Sequence, residues 1–207
     1  MRRRIAGLSS RDCRNVGFPR RYRLVSVGHV ADTSHGYRGR VHITEFDGLA
    51  PERAAEVVAV WAAVPAWVDA VVAGRPYGSR ADLAQRAAAL AAAWDGRDLD
   101  AALAHHPRIG ERPRGAGAEA DASRSEQSAM AGAEQDVATA IAQANAAYEE
   151  RFGRVFLIRA AGRSPQEMLD EARRRLGNDD DAEAVEALDQ LGQIAQLRLA
   201  ASIEEDA

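Results

Sequence analysis

From Phe46 onward, apolar residues fall three or four positions apart between short polar or Gly/Pro runs. That is the spacing of helices that each bury one face. Pro51 suits a first helical turn, and Val57, Val58, Trp61 and Val64 supply that helix's apolar side. Pro65 breaks it. A shorter helix through Trp67, Val68 and Val71 follows, closed by a turn at Gly74-Arg75-Pro76-Tyr77-Gly78. Ser79-Arg80-Ala81-Asp82 reads as a capped start, with Leu83, Leu90 and Trp94 behind it and Gly96 as its end. Residues 98–105 form a short helix, and the Gly-, Pro- and Ala-rich residues 107–122 form a loop. The longest helix is predicted over residues 123–152. Val155-Phe156-Leu157-Ile158 reads as a brief extended run, too little for a sheet. Ser164-Pro165-Gln166-Glu167 is a capping box with Pro at the first helical position. Its helix runs to about Leu176 and stops at Gly177-Asn178. A last helix covers residues 181–202. The pattern predicts an all-α fold: a single helical domain of seven or eight helices over residues 42–207, behind a flexible basic arm over residues 1–41.

Three ionisable residues continue apolar stripes. On the long helix, Met130, Ala133, Val137, Ile141, Ala144 and Tyr148 form one line, and four residues before Met130 stands Glu126. On the last helix, Ala184, Leu188, Leu191, Ile194 and Ala195 form the stripe, and Arg198 follows Ile194 by four. The short helix gives Leu99, Ala102 and Leu103, then His106, with His105 pointing elsewhere. Pro107 disfavours helix at His106 itself. Each residue has a plainer reading. Ser123-x-x-Glu126 fits a capping box, a His before Pro fits a core or surface residue, and Arg198 fits an internal ion pair or a snorkelling side chain. Three inward ionisable groups of different types nevertheless need one another or a ligand, since an unpaired buried charge is costly.

Composition narrows the chemistry. All 27 basic residues are arginine, and 45 alanines favour helix. Residues 1–40 hold ten arginines against two acids, a local net of +8, while the remainder carries −12. A basic arm on an acidic body admits nucleic acid or anionic lipid as a partner. An unstructured leader, a start codon nearer Val41 and a transit peptide are the other readings. Nucleic acid is disfavoured by the acidic body. Cys13 is the single cysteine, so no intrachain disulfide forms, and a reducing cytoplasm fits. No apolar run is long enough to span a membrane. The sequence contains no His-Glu-x-x-His, Cys pair or EF-hand loop, so no metal is expected. Gly115-Ala116-Gly117 follows no strand and precedes no Lys, unlike a phosphate loop.

Six motifs occur in order: His106-Pro107-Arg108-Ile109-Gly110, Ser123-Arg124-Ser125-Glu126-Gln127, Asn145-Ala146-Ala147-Tyr148-Glu149-Glu150-Arg151-Phe152-Gly153, Ala161-Gly162-Arg163-Ser164, Arg175-Leu176-Gly177-Asn178 and Ile194-Ala195-Gln196-Leu197-Arg198-Leu199. Over about residues 46–203 this series resembles the 2-oxo-4-hydroxy-4-carboxy-5-ureidoimidazoline (OHCU) decarboxylase family. The resemblance implies an all-helical homodimer that needs no cofactor and converts OHCU to (S)-allantoin in urate breakdown. It implies His106 and Glu126 as catalytic residues. It implies substrate contacts from Pro107, Ser123, Gln127 and Arg198, and from the backbone around Phe156 and Ile158. The first 40 residues have no counterpart in it. Two rivals remain at this stage: a non-catalytic helical interaction module, and nucleic-acid binding through the arm.

Overall fold

The computed structural model describes residues 40–104, 106–111 and 117–206. Of the arm expected over residues 1–41, residues 1–39 lie outside them, as do His105, residues 112–116 and Ala207, whereas Val41 is buried in the first strand and belongs to the folded body. Among the described residues, nine helices and two very short strands follow one another: β1 (Val41–His42), α1 (Ile43–Gly48), α2 (Pro51–Trp61), α3 (Pro65–Ala73), α4 (Arg80–Ala91), α5 (Gly96–Leu103), α6 (Ala118–Glu126), a 3-10 turn (Ser128–Gly132), α7 (Gln135–Phe152), α8 (Pro165–Arg175), α9 (Asp180–Ser202) and β2 (Ile203–Glu204). The protein is all-α, as the pattern predicts. No described helix is long and apolar enough to cross a membrane.

Local chemistry accounts for the starts. Pro51 and Pro65 occupy first-turn positions of α2 and α3, where the missing N–H costs nothing. The Ser79 hydroxyl accepts from the Asp82 N–H at the head of α4, and Ser164 and Glu167 form the expected capping box on α8.

Buried apolar side chains form two clusters. One gathers Phe46, Trp61, Trp67, Leu83 and Leu99 around Leu191, Ile194 and Leu199 of α9. The other joins Ile109 to Ile141 and Tyr148 of α7 and to Met168 and Leu169 of α8. The extended run after α7 passes between them: Leu157 enters the first, Phe156 and Ile158 the second. This is the period-2 alternation of extended backbone.

Four expectations change. Residues 123–152 are not one helix: α6 ends at Glu126, a 3-10 turn follows, and Ala133 and Glu134 are extended (ψ 136 and 149°) before α7. Gly132, a poor helix former, sits at that break. The predicted loop over 107–122 gives way to helix at Ala118. Gly96 begins α5 instead of ending α4, because Asp95 caps it and Asp98 completes a capping box. The N-terminal half of the α9 stripe runs through Glu183 and Ala187, with Ala184 and Leu188 only partly buried.

The ends of the described chain meet. Val41 and His42 pair in parallel with Ile203 and Glu204, and Val41 and Ile203 are fully buried. The Thr44 hydroxyl donates to Asp206 (2.8 Å), and the Arg80 N–H donates to Glu205 (3.1 Å).

Candidate active site

The loop after α5 carries His106. Its own N–H donates to Leu103 O (3.1 Å), closing the helix end, and Pro107 prevents further helix. The next three residues are each held. Arg108 pairs with Glu149 in a bidentate contact along its Nε/Nη2 edge, with Nη2 to Oε2 at 2.8 Å. Ile109 O accepts from Asn145 Nδ2 (2.9 Å), and the Gly110 N–H donates to Gln127 Oε1 (2.9 Å). Gly110 has φ +84°, a conformation that favours glycine, and an added Cβ would lie 3.4 Å from Met130 Cε.

Ser123 and Glu126 lie three residues apart on α6 and so share a face. Arg198 of α9 meets that face. Its Nε donates to Glu126 Oε1 (2.6 Å), and Nη2 donates to Glu126 Oε2 (2.9 Å) and to Ser123 Oγ (3.2 Å). Nη1 donates to Val60 O of α2 (2.9 Å). The Arg198 side chain is 5% exposed and that of Glu126 17%. Ser123 is not a helix N-cap, so the capping-box reading of Ser123-x-x-Glu126 fails. Glu126 points inward as expected, although the continuous stripe used to infer it does not exist.

His106 is partly buried. Burial first, and the positive charge of Arg198 second, lower its pKa from 6.5 to about 4. The imidazole is therefore neutral at physiological pH. Arg198 thus joins the Glu126 carboxylate and the Ser123 hydroxyl, and its charge is felt by the His106 imidazole.

Phe156 and Ile158 bury their side chains in the second cluster, so only their backbone is left to face a ligand. Their segment is fixed by a network absent from the sequence reading. Arg175, fully buried, donates from Nη1 to Leu157 O (2.8 Å) and from Nε to Glu183 Oε1 (3.0 Å). The Tyr148 hydroxyl and Asn178 Nδ2 (2.9 Å) also donate to Glu183. Burial and the Glu183 bond push the Tyr148 pKa up. The guanidinium also lies over the Phe156 ring, 4.9 Å from its centroid. Spacing held the signal: Arg175 follows buried Ala172 by three, and Glu183 precedes buried Ala187 by four.

The sequence profile of the OHCU decarboxylase family matches residues 47–200. The chain belongs to the OHCU decarboxylase family. It is therefore a carboxy-lyase of urate degradation. A crystal structure of OHCU decarboxylase in the presence of (S)-allantoin is 25% identical, with a TM-score of 0.60, covering 68% of this chain and 92% of that one. A crystal structure of (S)-allantoin synthase shares the fold at 15% identity and a TM-score of 0.58; this chain covers 54% of its length and 79% of its own. No curated protein matches the sequence significantly. Membership in an OHCU decarboxylase family, with ionisable groups converging inside the fold, favours the enzyme over the interaction module.

Proposed function

We propose that this family member converts OHCU to (S)-allantoin without a cofactor, with His106 as the catalytic base and Glu126 beside it. The observation that carries the site assignment is the joining of Arg198, Glu126 and Ser123 next to a neutral imidazole. In OHCU the carboxylate-bearing carbon also carries a hydroxyl and adjoins a ring C=N. When CO2 leaves, its bonding pair forms a C=C bond to the adjacent ring carbon and the C=N pair moves onto the ring nitrogen, which takes a proton from solvent. The hydroxyl gives up its proton to become a carbonyl, and the adjacent carbon gains a proton on one face. The substrate supplies its own electron sink, so the protein's tasks are orientation, charge and proton traffic.

The polar groups match those tasks. Neutral His106 accepts the hydroxyl proton, and a bound carboxylate beside it raises the basicity that burial suppresses. Gln127 spends its oxygen on Gly110, so its NH2 is left to donate to a substrate oxygen. Ser123 accepts from Arg198, which leaves its O–H to donate. Each Glu126 oxygen accepts from Arg198 and keeps a lone pair for ureido N–H groups. Arg198 has one N–H left on Nη1, so it serves the substrate carboxylate through its charge more than through an open fork. Pro107 fixes the backbone under His106 and offers an apolar wall. The Phe156 and Ile158 N–H groups reach the ring oxygen. Purified wild type and His106→Ala, given OHCU freshly generated from urate, test this by substrate decay and the optical activity of the allantoin. Equal rates remove His106 from the mechanism. Wild-type decay no faster than the spontaneous reaction ends the assignment.

A homodimer is part of the proposal. Val185 (68% exposed) and Leu197 (38%) are the large exposed apolar side chains among the described residues. Both line a groove of about 770 Å³ between α4 and α9, and exposed apolar patches mark contact surfaces. Light scattering on Val185→Asp/Leu197→Asp should report a monomer; an unchanged mass places the contact elsewhere. A cytoplasmic location rests on the lone Cys13 and is tested by fractionation.

A further inference from the structure

We propose that Asn145 and Glu149, one turn apart on α7, are positioning residues for His106. The inference rests on the reading of His106 as the catalytic base.

Asn145 and Glu149 lie four apart in α7 and so share a face. That face meets the His106 loop. Asn145 reaches Ile109 O, and both Glu149 oxygens take the Nε/Nη2 edge of Arg108. Gln127 holds Gly110 from the other side, and Leu103 O holds the His106 N–H. The imidazole is thus carried on a backbone fixed immediately before and two to four residues after it. Pro107, with its restricted φ, leaves little slack between.

Neither residue contributes much to folding by this contact. Asn145 is 4% exposed, and its Oδ1 has no hydrogen-bond partner among the described residues. A buried amide that satisfies the Ile109 carbonyl but leaves its own oxygen unpaired gains little net stability, because the two terms offset. The Arg108–Glu149 pair is 43% and 26% exposed, and exposed ion pairs stabilise little. Its bidentate geometry does fix direction. What these bonds do is set where the loop sits against α7, and hence how deep the imidazole lies beside Arg198 of α9 and its partner Glu126 of α6. The Tyr148 hydroxyl, on the same helix, reaches Glu183, whose partner Arg175 holds Leu157 O. One helix therefore references both substrate-facing segments.

The test uses Asn145→Leu, Glu149→Gln, Arg108→Glu and the exchanged pair Arg108→Glu/Glu149→Arg in the full chain. The readouts are kcat, KM, Tm and the His106 imidazole pKa by NMR, assigned by loss of its signal in His106→Gln. In Asn145→Leu and Glu149→Gln, kcat should fall 10-fold or more with KM within about threefold. The His106 pKa should rise from about 4 toward 6.5 as the ring gains solvent. The exchanged pair should recover kcat relative to Arg108→Glu. An unchanged kcat in both loss variants, an unmoved imidazole pKa, or no recovery on exchange overturns the proposal, whatever happens to Tm. The NMR titration needs no substrate. If wild type fails to turn over OHCU, the function fails, while the clamp is still judged by the imidazole.

Discussion

Replacing Arg175 with methionine separates the buried network from ordinary packing. The change removes a fully buried guanidinium but keeps a long side chain. Glu183, 2% exposed, is left with only the neutral donors Tyr148 and Asn178. Leu157 O loses its donor. Stranding a buried charge costs about 3–5 kcal/mol, and orphaning a carbonyl about 1–3 kcal/mol. The two overlap, because water admitted to one reaches the other, so about 4–6 kcal/mol is expected. That approaches the whole stability of many domains, about 5–15 kcal/mol. At about 2–4 °C per kcal/mol for this size, Tm should drop by about 10–20 °C. Urea unfolding followed by circular dichroism at pH 7 gives the free energy. Arg175→Met/Glu183→Gln keeps an acceptor for Tyr148 while removing both charges. It should return to within about 2 kcal/mol of wild type, since replacing a whole buried pair is often near neutral. A single variant that loses less than about 1 kcal/mol, or a double variant as unstable as two independent losses, refutes the account.

The pH profile of the free enzyme should be flat through neutrality, with the acid limb of kcat/KM near 4; a limb near 6.5 would mean that His106 is neither buried nor facing Arg198. The same shift destabilises in acid. The unfolded chain protonates this histidine below pH 6.5 and the folded one only near 4. About 3 kcal/mol is therefore lost across that window, and His106→Gln should flatten that part of the stability curve. Gly110→Ala should cost about 1–2 kcal/mol for its left-handed backbone, with a fall in kcat beyond what Tm explains; unaltered kinetics would free the loop from any catalytic constraint. Glu126→Gln should lower Tm, since it strips the counter-charge from a 5%-exposed Arg198, an effect of about 3 kcal/mol. An unchanged Tm would show that pair to be solvated.

What the sequence made legible was local or periodic. Pro51, Pro65, Ser79 and the Ser164–Glu167 box state helix starts in a few residues, and the structure keeps them. Arg198 was visible because its helix is long and regular enough for a three- or four-residue count to hold. Glu126 was found through a helix that is actually broken. Alanine-rich sequence satisfies helix on both sides of Gly132. The bond that appears at the break is tertiary: Gln127 reaches Gly110, 17 residues earlier. The Arg175–Glu183 pair was hidden for another reason. Helical spacing from Ala172 and Ala187 was its one trace, and a run of three arginines at a helix end masks it, because such a run reads as a solvated terminus; packing against Tyr148 and Leu157 makes Arg175 the inner one. The β1–β2 pairing, two residues long across about 160 positions, has no pattern to read.

That pairing also bears on how the chain can be cut and joined. Ile203 to Asp206 look like a dispensable tail, yet they form a seam with the opening of the folded body through Val41, Thr44 and Arg80. Trimming after Ser202 would uncover Val41 and unseat α1, whereas a circular permutant that links residues 206 and 40 by a few glycines would follow a path the fold already closes.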